Sequence, residues 1–215
     1  MIPLLHDFDG ETVLVFGGGR VGARKARRFA READVVVVSP RFADADFGGA
    51  RKVRATPDAG GVETWFDRTE PALAVAATDD PAVNEAVAAV ADERGVLVNR
   101  TDVHGERDPG SVVVPATVRD EPVVVAVATG GTSPALSRYL RQSIEDDVAG
   151  AGEMAALTGE LRDRLQSEDV PVEQRRDAMR AVVRSDDVWK ALDSGGDNSR
   201  QTAVDVLDDV LGDRS

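Results

Sequence analysis

The sequence contains no cysteine. That single absence removes disulfides, thiolate nucleophiles and cysteine metal sites together. Histidine is limited to His6 and His104, so no histidine cluster can hold a resident metal, and no metal ligands are assigned. Aromatic residues make up 4% of 215 residues, which leaves Val, Ala and Leu to fill the core. Lysine is confined to Lys25, Lys52 and Lys190. No stretch approaches the roughly 18 apolar residues of a bilayer span. The opening MIPLLHDFDG lacks the basic start of a secretory signal. The expectation is a soluble, cytoplasmic protein with no membrane partner.

What is abundant is acid. Asp and Glu total 39 against 26 Lys and Arg, a formal net charge of −13 and a pI near 4.6. Such a surface repels nucleic acid and anionic membranes. Acidic excess combined with scarce lysine suits a cytoplasm of high salt, where counter-ions screen self-repulsion. An ordinary acidic protein of a GC-rich genome is the blander alternative, and the halophilic reading is preferred.

Residues 13–28 read VLVFGGGRVGARKARR, an apolar run that breaks into Gly17, Gly19 and Gly22 and then turns helical in composition. This is the spacing of a dinucleotide-binding turn. A strand over Thr12–Phe16 feeding a helix over Arg20–Glu32 aims free N–H groups at a pyrophosphate. Gly17 permits the tight turn, Gly19 the close approach of backbone to phosphate, and Gly22 the packing of helix on strand.

Val-rich runs alternate with Ala- and Arg-rich stretches through residue 100, the pattern of a parallel sheet with crossover helices. Further strands are expected at Asp34–Ser39, Glu63–Phe66, Ala72–Ala77 and Gly95–Asn99, and a helix at Pro81–Glu93. Pro81 suits the first helical turn, with Asp79 or Asp80 as cap. Ser111–Pro115 and Pro122–Ala128 are expected to form two short strands joined by a turn around Arg119–Glu121. GGTSP and a helix over Pro134–Glu145 follow. Beyond Gly150 strands vanish. Met154, Leu157, Leu161 and Leu165 recur at helical spacing, as do Met179, Val182 and Val183, then Trp189 with Leu192. Val204, Leu207 and Leu211 predict a last short helix. These stripes read as core or interface.

An NAD site usually places an acid about 20 residues past the glycines for the ribose hydroxyls. Here that position reads Val38-Ser39-Pro40-Arg41, and the acid is missing. Ser39 can make one hydrogen bond and Arg41 can meet a 2′-phosphate, so spacing alone leaves NAD and NADP open. Thr78 ends the fourth strand on the ligand side; it either touches cofactor or merely precedes a capping Asp79. Asp102 ends the fifth strand, two residues before His104. A partly enclosed site could raise its pKa enough to take a proton; spacing alone favours a loop aspartate that makes a turn. Gly130-Gly131-Thr132-Ser133-Pro134 is both a good helix start, capped by Thr132 or Ser133, and a candidate anion cradle. Arg138 and Arg141 follow, roughly one turn apart, where either can reach a carboxylate.

Taken together, GGGRVGARKA, AATDDPAVNEAV (76–87), VNRTD (98–102) and PATVRDEPVVVAVATGGTSPALSRYLR (115–141) resemble the siroheme synthase family. More narrowly they resemble its precorrin-2 dehydrogenase/sirohydrochlorin ferrochelatase module, over about residues 1–165. The resemblance implies NAD-dependent oxidation of precorrin-2 to sirohydrochlorin, often with Fe(II) insertion as well, Fe(II) then being a substrate. It implies a homodimer that exchanges a middle segment. The family aspartate falls on Asp102, and Thr129 falls where relatives carry a hydroxyl in the tetrapyrrole pocket. Cofactor contacts fall on Arg20, Val21, Arg41 and Phe42. Residues 102–115 run a few residues longer than the family pattern, which leaves Asp108 as a rival to Asp102. Because the implied substrate bears eight carboxylates, an acidic chain needs a local basic patch, drawn from Arg100, Arg107, Arg119, Arg138 and Arg141.

The expected fold class is α/β: a Rossmann-like parallel sheet, then a small α+β dimerisation segment and a helical C-terminal region. The expected boundaries are 1–110 for the NAD-binding domain, 111–149 for dimerisation and 150–215 for the helices. Cofactor residues are Gly17, Gly19, Arg20, Val21, Gly22, Ser39, Arg41, Phe42 and Thr78. Substrate residues are Thr129, Thr132, Ser133, Arg138 and Arg141, with Asp102 catalytic. The alternative function is a non-catalytic NAD-sensing module with a dimerisation arm.

Overall fold

The computed structural model describes residues 2–103, 110–195 and 198–212. The chain forms two compact units, Met1–Val114 with Gly130–Thr132, and Pro115–Thr129 with Ser133–Ser215.

The first unit is a parallel five-stranded sheet in the order β3-β2-β1-β4-β5. Its strands are β1 (Thr12–Phe16), β2 (Asp34–Ser39), β3 (Arg51–Arg54), β4 (Leu73–Ala76) and β5 (Leu97–Arg100). The Val-rich runs of β1, β2 and β4 have no polar face because both faces are covered. Side chains alternate across a strand: Leu14, Phe16, Val36 and Val38 pack with Val62, Phe66, Val83 and Val87, whereas Val13, Val15, Val35 and Val37 pack with Ala23 and Ala26. Helix α1 (Arg20–Phe29) therefore lies on one face, with α2 (Val62–Thr69) and α3 (Pro81–Glu93) on the other. α1 stops before the expected Glu32, because the amides of Glu32 and Ala33 both turn back onto the Phe29 carbonyl at 3.1 and 2.9 Å. α3 begins as expected, with Pro81 in its first turn and the Asp80 carboxylate accepting from the Ala82 and Val83 amides at 2.9 and 3.4 Å.

The structure departs from the expected elements in three places. Glu63–Phe66 is not a strand but the body of α2. Val62 and Phe66 stand one helical turn apart and are both fully buried, a period that outweighs the strand preference of the aromatics in TWF. Strand β3 was not foreseen, since RKVR offers no apolar alternation. It is an edge strand whose only half-buried side chain is Val53, and edge charges discourage further pairing. Ser111–Pro115 is not half of a hairpin. Ser111 bridges Val98 in parallel, and the Val112 amide donates to the Val98 carbonyl at 2.8 Å, so this segment extends the edge of the parallel sheet.

In the second unit the hairpin is β6 (Ala116–Asp120) with β7 (Val123–Val127), turning at Glu121-Pro122 rather than around Arg119–Glu121. Five helices follow: α4 (Pro134–Val148), α5 (Ala151–Ser167), α6 (Val172–Arg184), α7 (Asp186–Asp193) and α8 (Ser199–Gly212). Leu157, Leu161, Leu165, Val182, Val188, Leu192 and Leu207 meet in one core. Val183, expected in that stripe, is instead 44% exposed. α5 reaches the hairpin through Gly152, whose amide donates to Asp120 at 3.0 Å and where a Cβ would overlap the Glu121 carbonyl.

Candidate functional site

The turn after β1 is built by glycines that have no room for a side chain. Gly17 sits at φ +116°, and a Cβ there would overlap the Ala77 carbonyl of the turn after β4. A Cβ at Gly22 would overlap the Gly17 carbonyl, which is what draws α1 tight onto β1. Gly18 was not singled out from the sequence. Its Cβ would overlap the Arg41 carbonyl and crowd Ser39, so the turn after β1 and the loop after β2 are pressed together there. Its only trace in the sequence is that the middle residue of the GGG run is also glycine. Gly19 differs: nothing lies within 4 Å of a Cβ built on it. It opens α1 with no side-chain cap and no acid in the first turn, so the first N–H groups of the helix stay available. A closed turn below and an open, uncapped helix start above fit a dinucleotide pyrophosphate. Arg20 and Val21 are exposed beside it, Val21 at 38%.

Around this turn the ligand-side loops are knitted together. The Ser39 hydroxyl donates to the Arg41 carbonyl at 2.7 Å and is nearly buried, so it shapes the β2 loop and keeps only acceptor capacity for a ribose. Arg41 is exposed. Phe42 packs edge-to-face on Phe47 at 5.7 Å between ring centroids, with the Lys52 ammonium over both rings. Half-buried, it shores up the loop as well as bordering it. Thr78 is held by Asn84: its hydroxyl donates at 2.7 Å and its carbonyl accepts from the Asn84 amide at 3.0 Å. Asn84 is itself buried, and it ties the β4 turn to α3.

At the end of β5, Asn99 is buried and donates to the Val112 carbonyl at 2.7 Å. Its Oδ1 has no hydrogen-bond partner among the described residues. Asp102 is gripped by Arg100: Nε donates to Oδ1 at 3.2 Å and Nη2 to Oδ2 at 2.9 Å. Arg100 Nη1 in turn contacts Glu85 of α3. The raised pKa that a partly enclosed site could give Asp102 is not what this pairing produces. Hydrogen bonds from the Arg100 guanidinium hold the carboxyl below its ordinary value, against a smaller opposing effect of burial. The same pairing pushes Arg100 upward. An arginine two residues from an aspartate at a strand end was visible in VNRTD, but the pairing was not inferred from it.

In the second unit, Ser133 rather than Thr132 caps α4, accepting from the Leu136 amide at 3.3 Å. The Thr129 hydroxyl donates to the Ser133 carbonyl at 3.0 Å and lies 2.9 Å from Ser137 Oγ, so it braces this helix start. Arg141 pairs with Glu145 at 2.9 Å and Arg119 with Glu121 at 3.2 Å. Arg138 is exposed and makes no ion pair among the described residues. In the first unit, Thr132 is exposed. His104, Arg107 and Asp108 lie outside the described residues. In the first unit a cavity of about 480 Å³ lies at the opposite end of the sheet from the glycine turn, beside Thr12, Asp34, Arg51 and Arg68. Among the described residues no three His, Asp or Glu side chains gather as a metal site, and no helix is long and apolar enough to cross a membrane.

A family model described as "Putative NAD(P)-binding" matches residues 4–116. The chain is 30% identical over 217 residues to a precorrin-2 dehydrogenase of Methanosarcina barkeri, covering 98% of this chain and 95% of that protein. It is 38% identical to siroheme synthases of Ectopseudomonas mendocina and Azotobacter vinelandii, over 81% of this chain but only 37% of theirs. The chain thus spans little more than a third of those longer proteins. Among solved structures, the precorrin-2 dehydrogenase SirC matches with a TM-score of 0.67 at 20% identity, over 99% of this chain and all of that one, which is a likeness of fold.

Proposed function

The chain belongs to the family of precorrin-2 dehydrogenases and siroheme synthases, and from that premise we propose that it oxidises precorrin-2 to sirohydrochlorin with NAD+. The observation that carries the proposal is the glycine turn, closed at Gly17, Gly18 and Gly22 and open at Gly19, in a chain similar over nearly its whole length to a named dehydrogenase. Gly19, Arg20, Val21 and Gly22 would hold the pyrophosphate, and Ser39, Arg41, Phe42 and Thr78 would border the adenosine and nicotinamide. Bound NAD+ supplies the hydride acceptor. The chain's own task is to place the tetrapyrrole and take one proton, and Asp102 is the carboxylate assigned to it. Thr129, Thr132, Ser133, Arg138 and Arg141 are assigned to substrate carboxylates. Arg138 is the strongest of them, because no acid among the described residues neutralises it.

A carboxylate able to accept pyrrole protons also suits metal insertion, so Fe(II) is a second substrate in this reading. The protein acts as a cytoplasmic homodimer joined through residues 111–149, with 1–110 binding cofactor and 150–215 forming the helical part. A non-catalytic cofactor sensor would need the glycine turn but not GGTSP or the arginines behind it. The test is the absorbance of reduced nicotinamide when precorrin-2 is added anaerobically to folded protein and NAD+. A substrate-dependent rise supports dehydrogenation. Tetrapyrrole bound with no rise at any salt concentration contradicts it.

A further inference from the structure

The assigned proton acceptor is not free. Both oxygens of Asp102 are occupied by one guanidinium, at 2.9 and 3.2 Å, and that guanidinium is tethered on its other side by Glu85. The three side chains form a carboxylate–guanidinium–carboxylate chain with a net charge of −1. The Arg100 side chain in the middle is 16% exposed and Glu85 is 71% exposed. The Asn84 side chain of α3 also helps, to a smaller degree, to hold Asp102 in its charged form. Resting on the dehydrogenase reading, we propose that Arg100 is a substrate-operated latch: a tetrapyrrole carboxylate takes Asp102's place on the Arg100 fork and releases Asp102 as the base.

Three features of the chain support this. First, a guanidinium binds carboxylates in a two-pronged geometry, and any substrate carboxylate reaching Arg100 competes for the prongs that Asp102 occupies. Second, the charges couple the exchange to proton uptake. A third carboxylate raises the cluster from −1 to −2, and protonation of Asp102 restores −1. Carboxylates crowded around one cation raise each other's proton affinity. Capture of substrate and proton transfer to Asp102 therefore favour one another. Third, the reaction provides that proton. Of the two hydrogens removed, one leaves as hydride. The other leaves as a proton to an Asp102 oxygen, and the electron pair of its broken bond becomes part of the new double bond. When product departs, Asp102 gives the proton to water and Arg100 closes on it again. Arg100 is thus a positioning residue, and it ties activation of the base to a ligand carboxylate in the right place.

The test is a titration of the Asp102 carboxyl by carbon-13 NMR, assigned with Asp102→Asn, in the wild type, Arg100→Gln and Arg100→Lys. Each is measured free and with sirohydrochlorin bound. The wild type is expected to titrate below the ordinary aspartate range when free, and to move up by about one pH unit or more with ligand. Arg100→Gln is expected to titrate high already and to respond little to ligand, with Arg100→Lys between the two. In kinetics, the acidic limb of kcat/KM should move to higher pH in Arg100→Gln while that of kcat stays in place. A wild-type Asp102 that titrates identically with and without ligand overturns the latch, as does an unshifted kcat/KM limb in both Arg100 variants. If Arg100→Gln does not fold, Arg100→Lys carries the kinetic arm and the wild-type titration stands alone. An active wild type with an unmoved Asp102 defeats the latch only; an inactive wild type with a ligand-shifted Asp102 defeats the dehydrogenase reading only.

Discussion

Asp102 shows how position and protonation separate. VNRTD placed a carboxylate at the ligand end of the fifth strand, and the structure keeps it there. Its proton affinity followed from a contact that spacing did not announce, the Arg100 fork. Because the folded pKa is depressed, the ion pair is complete above the ordinary aspartate value and is lost as pH falls through the folded value. Asp102→Asn should lower turnover about 10²–10⁴-fold, the worth of a positioned acid–base group. NAD+ affinity should be unchanged, since the glycine turn is untouched; fluorescence titration of the cofactor beside steady-state rates checks both halves. Arg138→Ala should raise the KM for the tetrapyrrole and leave NAD+ binding alone, and more so at low salt, where the field of a −13 chain is least screened. Equal weakening of both ligands would mark Arg138 as a structural residue instead.

At the scale of elements, what could be read in advance was whatever carried its own punctuation. α3 has Pro81 and Asp80 at its start, and its limits were readable to the residue. Asp80→Ala removes an acceptor for two amides and should destabilise the protein by about 1 kcal/mol, measured as a lowered urea midpoint with unchanged slope. β1 and β2 were legible because strands buried on both faces become uninterrupted apolar runs. The failures are equally physical. β3 is an exposed edge whose identity lies in its pairing with β2 rather than in its composition. α2 presents strand-loving aromatics on a helical period. Ser111–Val114 is as Val-rich as a hairpin strand, yet its hydrogen bonds go to β5. Choosing between those partners required knowing which strand had an open edge. In the glycine turn, tight-turn and packing roles at Gly17 and Gly22 were readable. The role of Gly18 depends on a loop some 20 residues away, which no local motif records.

For the whole molecule, the hairpin β6–β7 is a two-stranded sheet by itself, an arrangement that is marginal without further burial. Leu136 and Tyr139 of α4 are 46% and 65% exposed. The proposed dimer would cover this segment, and it predicts that light scattering in molar salt returns twice the 22.8 kDa chain mass. A monomer there contradicts the dimer. The most direct test of the central claim is stoichiometric. Precorrin-2 is supplied anaerobically with NAD+, and reduced nicotinamide and sirohydrochlorin are quantified in the same sample. The account predicts one of each per turnover, with both lost together in Asp102→Asn. Sirohydrochlorin formed without matching reduced nicotinamide, or folded protein that binds both ligands and produces neither, would contradict it.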